Sequence, residues 1–189
     1  LLLIPLFGIL LIAPSYRSYD LLSITNFGNT DDAKKVDPDT KLKVIALAIS
    51  IIAFLYSLSL LLLFDPSTPE YQFTFNFNNK DLSIFTSDFQ IGIDGISIYF
   101  VILTTFLFPI SFLASWNITS ATSLGGNKYN VKFYLCTLLL LEILLILVFI
   151  VTDILLFYIF FESVLIPLFL IVGIWGGSPN RVRAAFLLF

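Results

Sequence analysis

The sequence predicts an all-α integral membrane protein, a polytopic bundle of about five transmembrane helices, and three observations lead there. Hydrophobic residues make up 58% of the chain and charged residues 12%, with a mean hydropathy of +0.98, whereas about a quarter of residues are charged in ordinary globular chains. The apolar residues gather in runs near the ~20 residues that a helix rising ~1.5 Å per residue needs to cross a ~30 Å hydrocarbon core. The cations, finally, fall almost entirely in the loops of one side once those runs are threaded through a membrane.

The same composition excludes other classes. A net charge of −3 with ten scattered Lys and Arg residues offers no basic face for nucleic acid. One cysteine, Cys136, sits in an apolar run and allows no internal disulfide. Histidine is absent, which removes the commonest metal ligand and the usual neutral-pH base, and no metal site is expected.

Leu1 to Ala13 is apolar but too short to span alone, and it lacks the basic flank of a secretory signal. It reads as a truncated first helix. The chain has no methionine, and Ala184 to Phe189 ends inside an apolar run. Residues 1–189 are therefore expected to form one transmembrane domain, the amino-terminal part of a longer protein. Pro14 to Lys41, rich in Asn, Gly, Asp and Lys, reads as a solvent loop. Leu42 to Phe64 is the second span, closed by Asp65-Pro66, where proline withdraws the donor that a continuing helix needs.

In the loop 65–93 that follows, Tyr71, Phe73, Phe75 and Phe77 alternate with Gln72, Thr74 and Asn76. Period two marks a half-buried strand, and aromatics beside a span favour the headgroup zone, so a strand resting on a membrane or partner surface is expected. Gly95 to Trp116 is the third span, capped by Asp94 and containing Thr104, Thr105, Pro109 and Ser111. Such residues inside a span predict packing against other helices. Asn117 to Asn130, rich in Ser, Thr, Gly and Asn, is a loop.

From Val131 to Trp175 the chain is almost continuously apolar and would reach roughly 68 Å as one helix, so it must fold back. Val151-Thr152-Asp153 is the natural turn, because Thr152 or Asp153 can cap the returning helix and a carboxylate is favoured at its positive end. The fourth span is Lys132 to Ile150 and the fifth Ile154 to Trp175.

Two acids lie inside this hairpin. Glu162 is ~13.5 Å past Asp153 along the fifth span and Glu142 is ~16.5 Å before it along the fourth, so both sit near the ~15 Å half-thickness of the slab. An ionised acid there costs at least ~2.5 kcal/mol, and such residues mark ion or proton paths or face a bundle interior. If they face each other they would share protons, one loading and unloading. Alternatively, either is a neutral hydrogen-bonding tie between helices. Pro167 frees the carbonyl of Ser163, beside Glu162, which can admit water or simply serve helix packing. Gly173, Gly176 and Gly177 fit close packing and helix termination better than phosphate binding, as no strand precedes them.

Five spans place Arg17, Lys34, Lys35, Lys41, Lys43, Lys128, Lys132, Arg181 and Arg183 on one side and only Lys80 on the other. That bias marks the former as the cytoplasmic or matrix face. Merging the last two helices would split the cations seven to three.

The runs Ile91-Gly92-Ile93-Asp94-Gly95-Ile96-Ser97-Ile98-Tyr99-Phe100-Val101-Ile102-Leu103-Thr104-Thr105 and Leu155-Leu156-Phe157-Tyr158-Ile159-Phe160-Phe161-Glu162, with Leu165-Ile166-Pro167, carry a resemblance. The sequence resembles chain 4 of the proton-pumping NADH:ubiquinone oxidoreductase, respiratory complex I, in its mitochondrial form, from about Leu42 to the end. The resemblance implies an antiporter-like membrane-arm subunit of the mitochondrial inner membrane. In it the acid matching Glu162 pairs with a lysine on a later helix and takes part in proton translocation, and the position of Glu142 carries an acid in many relatives. It also implies that NAD, FMN, the iron–sulfur clusters and ubiquinone are bound by other subunits and none by this chain. The partners implied are other membrane-arm subunits and the lipid bilayer. The partner lysines would lie beyond Phe189, so this piece alone is not expected to be catalytic. Two other functions remain open: a stand-alone cation/proton antiporter subunit of the same architecture, and a structural scaffold segment whose acids are neutral ties.

Overall fold

The computed structural model describes residues 1–13, 38–68, 70–77, 89–116 and 131–188. Its helices are α1 (Leu3–Ile12), α2 (Pro38–Leu63), α3 (Ser97–Ala114), α4 (Val131–Ile150), α5 (Ile154–Trp175) and α6 (Arg181–Leu188), with strands β1 (Gln72–Phe77) and β2 (Phe89–Ile93) between α2 and α3. Helices α2 to α5 are each long and apolar enough to cross a membrane, and α1 is a shorter apolar helix. The loop expected at 117–130 and residues 14–37 of the earlier one lie outside the described residues. Helix α2 begins before the expected Leu42 because Pro38 is already suited to a first helical turn and Asp39 complements its positive end.

The hub is α4, which packs against α1, α2, α3, α5 and β2. Half of its spanning window is buried, against 11% for α5, so α4 is the bundle's axis and α5 its flank. Neighbouring helices meet it with narrow faces: Pro5, Gly8 and Ile12 of α1 and Ile98, Val101, Thr105, Phe108 and Phe112 of α3 are buried at helical spacing. On α2 the buried set includes Ala46, Ser50, Ala53 and Ser57, small residues that let backbones approach where lipid provides no hydrophobic drive to associate.

Contacts at the helix ends fix the up-and-down order. The Trp175 ring, last in α5, packs edge-on against Tyr134 near the start of α4, with centroids 5.0 Å apart. The Lys43 ammonium, early in α2, donates 2.8 Å to the Trp116 carbonyl just past α3. Lys43, Trp116, Tyr134 and Trp175 thus share one end of the bundle, the cation-rich one. At the other end, Leu1, Leu2, Phe64, Ile91, Ile93, Ile98 and Ile150 pack in one cluster.

Strand β1 forms where alternation predicts it, and it pairs antiparallel with β2, Phe75 opposite Ile91 and Asn76 opposite Gln90. The ladder shifts register between Gln72 and Phe75, and Phe73 lies there at φ 54°, the left-handed turn of a bulge. Tyr71, Phe73 and Phe75 are exposed. The hairpin rests on the α4–α5 turn: the Thr152 amide and hydroxyl both donate to the Gln90 carbonyl, at 3.3 and 2.8 Å, and Ile91 bridges to Val151.

The exit from α2 is locked to β1. Asp65 accepts from the Ser67 amide at 2.9 Å and hydroxyl at 2.7 Å, and the Gln72 side chain bonds both backbone groups of Asp65. The Ser67 bonds hold the Asp65 carboxyl below the usual carboxylate range. A depressed value stabilises the turn at and above the ordinary carboxylate range, and the contribution is lost as pH falls through the lowered one. Protection of the Ser67 amide against exchange, relative to an unstructured chain at the same pH, is accordingly expected to hold at neutral pH and to be lost in strong acid; an Asp65→Asn variant should show reduced protection at neutral pH and no difference in strong acid.

Candidate functional site

The interior acid is Glu142, eight residues from the α4 terminus at Ile150 and 0% exposed. It is flanked by Leu138, Leu139, Leu141 and Ile146, all buried, on a helix surrounded by four others. Neither carboxyl oxygen has a hydrogen-bond partner among the described residues. An unsatisfied polar group inside a bundle costs roughly 1–3 kcal/mol, more when charged. A residue that ties helices together directly has a partner on the neighbouring helix; Glu142 has none among the described residues.

Glu162 stands eight residues into α5, on its exposed side, among exposed Tyr158, Ile159, Phe161 and Ile166. Tyr158, one turn earlier on the same helix, is close enough to interact with its carboxyl. Asp153 caps the helix as the turn requires, its carboxylate accepting from the Leu155 amide at 3.1 Å. Helix α5 runs unbroken through the fully buried Pro167, and the Ser163 hydroxyl, in the turn that proline leaves open, donates 2.7 Å to the Ile159 carbonyl.

Depth and direction must be separated. The hairpin of α4 and α5 brings the two acids to one level, but it does not turn them toward each other. Glu142 points into the core while Glu162 faces outward, and no bond joins them. The condition under which the two acids would share protons, that they face each other, is not met: one acid is interior and one lies on an open flank, because α4 has helices on all sides and α5 on few.

The structure adds polar residues that counting along the chain passed over. The Ser57 and Thr105 hydroxyls join α2 to α3 at 2.8 Å with exposures of 1% and 0%. Thr105 belongs to the polar set expected to pack; Ser57 sits in an apolar run, with spacing alone to hint at its inward face. Lys43, read only as a marker of sidedness, is 7% exposed, caps the α3 terminus and lies 5.7 Å from the Trp116 ring centroid. Arg181 likewise closes α5, its guanidinium donating 3.3 Å to the Gly176 carbonyl. No three His, Cys, Asp or Glu side chains come together as a metal site among the described residues.

Comparison with known proteins gives these positions a context. A family model described as NADH-ubiquinone oxidoreductase chain 4, amino terminus, matches residues 40–148, and one described as NADH:quinone oxidoreductase/Mrp antiporter, transmembrane, matches residues 151–189. The chain is similar to the NADH-ubiquinone oxidoreductase chain 4 of Mycosarcoma maydis, 50% identical over all 189 residues and 33% of that protein. It is also similar to that of Arabidopsis thaliana, 45% identical over 78% of this chain and 28% of the relative. To the NADH-quinone oxidoreductase subunit M of Rhodobacter capsulatus it is 43% identical over 80% of this chain and 27% of the relative. It thus spans a third or less of the length of these relatives. With its spanning helices in place and the amino-terminal model matched across α2, the hairpin, α3 and most of α4, the chain belongs to the NADH-ubiquinone oxidoreductase chain 4 family.

Proposed function

We propose that this chain forms part of a membrane-arm subunit of the proton-translocating NADH:ubiquinone oxidoreductase of the mitochondrial inner membrane, and that Glu142 and Glu162 carry protons within it. The observation that carries the reading is the Glu142 carboxyl, enclosed at mid-depth in a spanning helix with no partner among the described residues, in a member of this family. A proton carrier in such a place needs enclosure from lipid and freedom from a permanent ion pair. Glu162 has the complementary setting: a carboxyl on an open apolar flank is costly against hydrocarbon, so that flank is the docking face for further helices of the membrane arm. Electron transfer from NADH to ubiquinone through FMN and iron–sulfur clusters takes place in other subunits, and this chain supplies only proton-bearing groups.

Glu162→Gln keeps the shape of the side chain and removes its proton. In the assembled enzyme, NADH oxidation is expected to continue while protons translocated per NADH oxidised fall toward zero; a parental ratio would overturn the assignment. A second reading, a stand-alone cation/proton antiporter, draws on the antiporter half of the description matching residues 151–189. Purification from native membranes separates the two, since the antiporter would travel without flavin and iron–sulfur proteins.

A further inference from the structure

We infer that Glu142 shares a bound water with the Ser57–Thr105 hydroxyl pair, forming a buried polar layer where α2, α3 and α4 meet. Three observations lead there. First, these three helices pack against one another, and the three side chains are 0 to 1% exposed. Second, they occupy one level: measured from the hairpin end of each helix, Glu142 and Thr105 lie ~12 Å in and Ser57 ~9 Å in, at about 1.5 Å per residue. Third, the hydroxyl pair has spare hydrogen-bonding capacity at the level of a carboxyl that has no hydrogen-bond partner among the described residues. Ser57 Oγ lies 2.7 Å from the Phe54 carbonyl, and Thr105 Oγ1 lies 3.1 Å from the Val101 and 3.0 Å from the Ile102 carbonyl. Each hydroxyl carries a single proton, so these carbonyls and the two hydroxyl oxygens compete for two protons, and each oxygen keeps a lone pair for a further donor.

The carboxyl and hydroxyls do not bond directly. The group that joins them must both donate and accept and must be small, which describes water, whose buried sites usually offer two to four polar partners. Such a layer satisfies the carboxyl in either protonation state. It also gives the acid proton an exchange partner: the carboxyl hands its proton to the water as the water hands one of its own to the second carboxyl oxygen, while the Ser57 and Thr105 hydroxyls hold the water in place. The layer concerns the carboxyl of the proposed proton path, but its existence does not depend on pumping.

Infrared difference spectroscopy on the full-length protein in its membrane assembly tests it. The carbonyl band of Glu142 is assigned by its loss in Glu142→Gln, and the rate at which that band shifts after transfer to D2O is followed. In a Ser57→Ala/Thr105→Val double variant the exchange is expected to slow by about tenfold, the factor that one lost hydrogen bond carries. Thr105→Ser, which keeps the hydroxyl, should exchange at the parental rate. If the double variant fails to assemble, Thr105→Val alone takes its place. Parental exchange with an unmoved band overturns the water layer. Slowed exchange with an undiminished proton-to-NADH ratio upholds the layer and counts instead against Glu142 as a carrier.

Discussion

Replacing Glu142 with leucine is expected to leave the bundle as stable as the parent, or up to ~1–4 kcal/mol more stable, because a buried ionisable group that bonds directly to none of the described residues is exchanged for an apolar side chain of similar size. Proton translocation in the assembled enzyme should meanwhile fall by roughly a hundredfold or more, as when a proton-transferring side chain is removed. Glu142→Gln should lose translocation equally and sit at parental stability. The combination matters more than either half. If Glu142 were a neutral tie, the leucine variant would lose the ~1–3 kcal/mol of a broken buried bond and translocation would drop only as assembly dropped. Thermal midpoints of the purified assembly, read beside proton-to-NADH ratios in vesicles, decide between them.

The second large effect is expected at Lys43→Glu. Its ammonium occupies the negative end of α3, bonded to the Trp116 carbonyl and close to the indole ring. Reversing the charge sets a carboxylate against that carbonyl and an electron-rich ring in a nearly enclosed position, at a cost of about 3–5 kcal/mol, comparable with leaving a buried charge uncompensated. Little intact assembly should be recovered. Lys43→Arg, which keeps the cation, should assemble with a modestly lowered thermal midpoint. Normal yields of the Glu variant would mean that Lys43 marks sidedness and anchors nothing.

What the chain discloses before folding differs between elements for physical reasons. Axial position is legible: a fixed rise per residue sets both acids near mid-depth, and the Asp153 cap and the turn at 151–153 follow from length and hydrogen-bonding capacity. Azimuth is not. Helix α4 is apolar on every side, so no stripe shows which way Glu142 points, and only the surrounding helices settle it. Helix α3 lies between these cases. Its expected cap, Asp94, accepts from the Ser97 amide at 2.9 Å while the Ser97 hydroxyl accepts from the Asp94 amide at 2.8 Å, yet the regular helix begins only at Ser97.

The hairpin was half legible. Six residues of alternation disclose β1, and the shorter run Phe89, Ile91 and Ile93 around Gln90 and Gly92 carries the same signal for β2. Ile91-Gly92-Ile93 falls at the end of the stretch that reads as the loop 65–93, and nothing local shows that β2 also meets the α4–α5 turn.

That last contact makes the fold a mechanical linkage. Thr152 hangs from the Gln90 carbonyl by two bonds, while β2 continues through Asp94 into α3 and β1 returns through Gln72 to the foot of α2. The elbow between the acid-bearing helices cannot rock without dragging this small lever, so a label on the exposed aromatic edge of β1 would register from outside the lipid any tilting deep within it.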